Sequence, residues 1–105
     1  MLLTPNWTWL LEVGLHRVHC IFWNIPIENG EPCPCVPLRI TCKRTYPHKR
    51  DSRVVPSPEM VASTPHVQDL MRDMKRLKKG TITLKFQDGL PIACDIDEVL
   101  EPPRL

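Results

Sequence analysis

Thiol and imidazole side chains crowd one stretch of this chain. His16, His19, Cys20, Cys33, Cys35, Cys42 and His48 include four of its five cysteines and three of its four histidines. Thiolate and imidazole are the ligands zinc prefers, so a metal-stabilised fold is the first chemistry to consider. Four donors must converge on one point, and spacing limits which ones can. Cys33-Pro34-Cys35 leaves one residue between the thiols where the usual pair has two, and an extended chain would point them to opposite sides. A proline-rich loop can still turn both inward. The expected ligand set is His19, Cys33, Cys35 and His48, with His16, Cys20 or Cys42 as substitutes. Packing is the competing explanation. Cys42 alternates in step with Leu38 and Ile40, and Cys20 with Val18 and Phe22, where a free cysteine behaves as a small buried hydrophobe. Cys94 falls on the apolar face of a late strand and reads as core. An odd cysteine count ranks reduced thiols or metal ligands ahead of a disulfide framework.

A basic run begins where this block ends. Arg39, Lys43, Arg44, Lys49, Arg50 and Arg53 surround Tyr46 and His48, close enough in sequence to follow one phosphate track. Tyr46 could stack on a base. Farther on, Arg72, Lys75, Arg76 and Lys79 form a stripe along one face of an expected helix. The net charge of +2 conceals a strong asymmetry. Residues 1–35 carry −2, residues 36–85 carry +8 and residues 86–105 carry −4. If both basic groups faced one way, they would give salt-sensitive, sequence-independent binding of RNA or DNA. The plainer account is a solvated helix face and charges neutralised within the fold. The 43–50 cluster also resembles a nuclear import signal.

The elements that must position these residues are short. Twelve prolines in 105 residues is about twice the usual frequency. Trp7 to Val13 alternates and reads as a first strand, ended by Gly14; Leu15 to Trp23 reads as a second. Asn29-Gly30 is a type I′ turn signal, because both positions need positive φ. Val36, Leu38, Ile40 and Cys42 alternate with Pro37, Arg39, Thr41 and Lys43, a strand with a basic face. Residues 47–62 read as a proline-rich basic linker containing Ser57-Pro58, a loop or a proline-directed phosphorylation site. Ser63 or Thr64 then caps a helix begun by Pro65, with Val67, Leu70, Met71, Met74 and Leu77 as its apolar stripe and Gly80 as its left-handed stop. Two strands follow, through Ile82, Leu84 and Phe86 and through Leu90, Ile92, Cys94 and Ile96. Asp88-Gly89 is the turn between them, and Pro91 assigns the second to an edge.

The expected fold is α+β. A small proline-interrupted antiparallel sheet with the Cys/His block fills residues 1–46, a linker 47–62, a helix packed on a hairpin 63–97, and an acidic tail 98–105. No phosphate-binding glycine loop or Ser/His/Asp set is present, and Asp95-Ile96-Asp97 is a weak cation motif, so the expectation is a protein without enzymatic activity. The apolar runs are shorter than the ~20 residues a membrane-spanning helix needs. The N-terminus lacks a secretory pattern, which points to the cytoplasm or nucleus. The sequence therefore predicts an accessory or regulatory protein, of a composition that would suit a small viral product, which binds RNA or DNA and is stabilised by zinc. The alternative is an adaptor that engages a host or partner protein, or a second copy of itself, through the amphipathic helix or an edge strand. A third reading is a secreted, disulfide-linked module using the Asn6-Trp7-Thr8 sequon.

Overall fold

A computed structural model describes residues 3–44, 55–77, 79–100 and 102–103. Tyr46, His48, Lys49, Arg50 and Arg53 lie outside the described residues. The fold is α+β, with eight elements among the described residues, in the order α1 (Pro5–Leu15), β1 (His19–Glu28), β2 (Glu31–Pro32), β3 (Arg39–Cys42), α2 (Pro58–Ala62), α3 (Pro65–Arg76), β4 (Lys79–Gln87) and β5 (Leu90–Glu98).

All three helices start with the same two residues of local chemistry. Thr4-Pro5, Ser57-Pro58 and Thr64-Pro65 each place a hydroxyl at the cap and a proline at the first helical position. The hydroxyl accepts the N–H of Trp7, Met60 and Val67 respectively, and proline costs nothing there because that N–H has no intrahelical partner. The expected strand at Trp7 to Val13 is therefore a helix. Its buried residues Trp7, Leu10, Leu11, Gly14 and Leu15 recur at helical spacing, and the alternation of Trp9 and Val13 was incidental. Within residues 47–62, α2 buries Val61 and Ala62. Helix α3 ends at Leu77, whose backbone is already extended, so Gly80 is no helix stop and lies inside β4.

The five strands form one antiparallel sheet. β1 and β4 are its centre, β5 lines β4, and β2 and β3 lie along the other edge of β1. Asn29-Gly30 and Asp88-Gly89 make the two hairpin turns, all four residues at positive φ, as the sequence predicts. β2 and β3 are successive pieces of one return strand. Between the pairs Ile27↔Pro32 and Trp23↔Arg39, β1 advances four residues while the return strand advances seven. The surplus loops out as Cys33 to Leu38, opposite a bulge at Asn24, whose φ is +50°.

One core joins both halves of the chain. Cys20, Phe22, Ile25 and Ile27 of β1 and Ile82, Leu84 and Phe86 of β4 point to the same face, where α1, α2 and α3 cover them. Phe22 and Phe86 stack with centroids 4.6 Å apart. Burial of such side chains stabilises by about 1.5–3 kcal/mol each. Gly14 lets α1 approach closely enough that a Cβ there would overlap the Phe86 ring. Gly30, at φ +77°, lies against the backbone of Met74 and Lys75 at the end of α3. β5 is only partly covered: Cys94 is half-buried against the core, while Ile92 and Ile96 are 51% and 46% exposed. The expected single apolar face of that strand is broken by the register shift against β4, which leaves Ile92 unpaired between Pro91 and Ala93.

Candidate nucleic-acid interface

Among the described residues, helices cover one face of the sheet and leave the other open. Strand parity decides what that open face carries. His19, Ile21 and Trp23 point there from β1, Arg39 and Thr41 from β3, Lys79, Thr81, Thr83, Lys85 and Gln87 from β4, and Asp95 and Asp97 from β5. Lys43 continues the β3 ladder opposite His19, with its N–H donating to the His19 carbonyl at 3.1 Å.

Trp23 is the fixed point of this surface. Its indole Nε1–H donates to Thr41 Oγ1 at 2.9 Å, which holds the ring edge against β3. The Arg39 guanidinium lies over the ring, 5.7 Å from its centroid. Ile21, Thr41, Lys43, Lys85, His19 and Gln87 border an open hollow of about 500 Å³ beside it. Charge is graded across the face. Arg39, Lys43 and Lys85 cluster at one end, whereas Lys79 pairs across strands with Glu28 at the other and β5 presents Asp95 and Asp97. An anionic strand would follow the β3 side and avoid β5.

The described members of the two basic groups expected to act together lie on different layers. Arg72, Lys75 and Arg76 are exposed on α3, the layer that covers the opposite face of the sheet. Arg72 is already engaged with Asp69 at 3.1 Å. Lys79 belongs to β4 and the open face, not to the helix stripe. Of the expected nucleic-acid contacts, the sheet brings together Arg39 and Lys43, with Arg44 following directly in the chain. Trp23 and Lys85 were missed. Counting back from the Asn29-Gly30 turn would have put Trp23 on the core face opposite Val36, because the bulge at Asn24 inverts the parity of β1 and the looped-out segment moves the pairing by three residues.

The cysteines and histidines spread along the same hairpin. Cys33 and Cys35 lie in the looped-out segment near Pro26, whose carbonyl accepts the Cys33 N–H at 2.8 Å. The neighbouring Cys35 thiol pushes the Cys33 thiol up from its ordinary value. His19 starts β1, seven residues from Pro26 and so about 20 Å away along the strand. It does not converge with Cys33 and Cys35, and among the described residues no cluster of three or more His, Cys, Asp or Glu could hold a metal ion. Cys20 and Cys42 are direct cross-strand partners; Cys20 is buried, but Cys42 is exposed instead of packed. No helix among the described residues is long and apolar enough to cross a membrane. Comparison with protein-family models, curated proteins and solved structures finds no match to this chain.

Proposed function

We propose that this is a non-enzymatic nucleic-acid-binding protein that engages a single strand on the open sheet face, without base-sequence specificity. The observation that supports this most is Trp23, anchored by Thr41 and flanked by Arg39, with Lys43 and Lys85 on the same face. A base stacks on an aromatic ring whatever its identity, and flanking cations hold the backbone. The basic residues Lys49, Arg50 and Arg53 extend the track beyond β3 in sequence. No role for zinc enters this reading. The test is fluorescence anisotropy with labelled RNA and DNA oligonucleotides, single- and double-stranded. Trp23→Ala should weaken single-strand binding roughly tenfold or more, since stacking on an aromatic contributes about 1–3 kcal/mol per base. Unchanged affinity in a folded variant would refute the platform.

One observation favours a second reading. β5 is a nine-residue edge strand with Ile92 and Ile96 about half exposed, which suits a protein adaptor that adds a partner's strand there. A protein partner that stays bound after nuclease treatment and is lost with Ile96→Lys would support that reading over the first.

A further inference from the structure

Cys20 and Cys42 face each other across β1 and β3. The hydrogen bond from Lys43 N–H to the His19 carbonyl makes 19 and 43 a bonded pair, so the alternation of an antiparallel ladder makes Cys20 and Cys42 a non-bonded pair. Such pairs have Cα atoms about 4.5 Å apart, inside the span a disulfide bridges. Both side chains of a directly opposed pair point to the same face of the ladder, which sets the two thiols next to each other. Between the end of α1 and β3, a hollow of about 220 Å³ is lined by His16, Arg17, His19, Cys42, Lys43 and Arg44, with no carboxylate among the described residues of its wall. Arg17 is held in place by donating to the Val13 carbonyl at 2.8 Å, at the C-terminal end of α1.

We propose that Cys42 and Cys20 are a redox dithiol, oxidised to a cross-strand disulfide by a small anionic disulfide of the glutathione class that docks in this basic hollow. Cys42 is exposed and reacts first: its thiolate attacks one sulfur of glutathione disulfide, the S–S bond breaks, and one glutathione leaves as a thiolate that takes up a proton. Cys20 then attacks Cys42 Sγ, a new S–S bond forms, and the second glutathione leaves and is protonated in turn. The protein gives up two electrons and two thiol protons, and the small disulfide becomes two thiols. Burial, with Cys42 next to it, pushes the Cys20 thiol up to about 11, so it does not initiate; its place directly across the ladder from Cys42 is what lets it resolve the mixed disulfide. The other close pair is less suited. Cys33 and Cys35 lie outside the basic hollow, with the Glu28 carboxylate acting on Cys33. Oxidation at Cys20 and Cys42 fastens β3 to β1 and fixes where Lys43 and Arg44 leave the sheet. The inference does not depend on nucleic-acid binding.

The test uses the reduced full chain, exposed in parallel to glutathione disulfide and to neutral hydroxyethyl disulfide, then quenched in acid, alkylated and mapped by peptide mass spectrometry. The expected product with glutathione disulfide is a Cys20–Cys42 linked peptide pair. In Cys20→Ser, the reaction should stop at a glutathione adduct on Cys42. That adduct should form about tenfold faster than one on Cys35, because a cationic hollow concentrates an anion. The advantage should disappear with the neutral disulfide and in Lys43→Gln/Arg44→Gln. A persistent Cys42 adduct in the wild-type chain would overturn the proposal, as would a Cys33–Cys35 link as the main product or equal rates at Cys42 and Cys35. If Cys20→Ser does not fold, the wild-type linkage map and the comparison of the two disulfides decide the matter.

Discussion

Binding on the sheet face makes a quantitative claim about salt. Each phosphate contact on a single strand contributes about −0.7 to the slope of log K against log salt. Arg39, Lys43, Arg44 and Lys85 on and beside the open face therefore contribute about −3 to the slope, which by itself lowers affinity about 60-fold between 50 and 200 mM salt. The exposed α3 cations Arg72, Lys75 and Arg76 would add about −2 more if they touched the same strand. They cover the other side of the sheet, so reversing all three to glutamate should leave the slope within about 0.5 of wild type. Lys43→Gln/Lys85→Gln should reduce it by about 1.4. Trp23→Ala should lower affinity at every salt concentration and leave the slope alone, because stacking releases no counterion. Residues Lys49, Arg50 and Arg53 affect all variants equally and cancel in the comparison. The assay is anisotropy of a labelled oligonucleotide at four salt concentrations, with circular dichroism to confirm that each variant is folded. A loss of about 2 in slope on reversing the helix charges would refute the assignment to the sheet face.

Two further outcomes test the fold around the site. Gly14→Ala sets a gain in helix propensity of about 1 kcal/mol against forcing a methyl group into the Phe86 ring, which should cost about 1–3 kcal/mol, so the net result should be a fall in Tm of roughly 4–8 °C. In a Phe86→Leu background the same change should be neutral or stabilising, and an unchanged penalty there would show that the Phe86 contact is not the cause. The Cys20 thiol is raised to about 11 in the fold from 9.0, so its contribution is fully present below pH 9 and is lost as the unfolded chain ionises between about 9 and 11. Two units set an upper limit of about 2.7 kcal/mol. Under reducing conditions, urea unfolding from pH 8 to 10.5 should show wild type losing more stability than Cys20→Ala, and parallel curves would contradict the burial of that thiol.

What could be read from the sequence depended on how local each signal was. Thr64-Pro65, the Val67 to Met74 stripe and the Asp88-Gly89 turn carry their instructions within a few residues, and α3, β4 and β5 follow them. Residues 7–13 satisfy two periods at once. Alternating Trp7, Trp9, Leu11 and Val13 suggested a strand, but Thr4-Pro5 upstream and the burial of Leu10 and Leu11 determine a helix. Gly14, read as a break, is instead a point of close packing. The faces of β5 were not legible, because a register shift between β4 and β5 leaves Ile92 without a cross-strand partner and breaks the alternation there, which no local pattern encodes. The candidate site divides in the same way. Arg39 and Lys43 were evident as charges, but their association with Trp23 and Lys85 is a matter of register across three strands. For the same reason the helix stripe, close in charge and spacing, falls on the layer opposite Arg39 and Lys43.

The looped-out segment Cys33 to Leu38 leaves the ladder after Pro32 and rejoins it at Arg39, with strand pairing secured on both sides. Its ends are held by the scaffold whatever its length, and doubling a flexible loop costs only about 0.6 kcal/mol. The segment is thus a natural insertion point. A peptide epitope or a fluorophore-bearing graft placed between Val36 and Pro37 would be displayed at the sheet margin, leaving the turn at Asn29-Gly30 and the pairing of β3 intact.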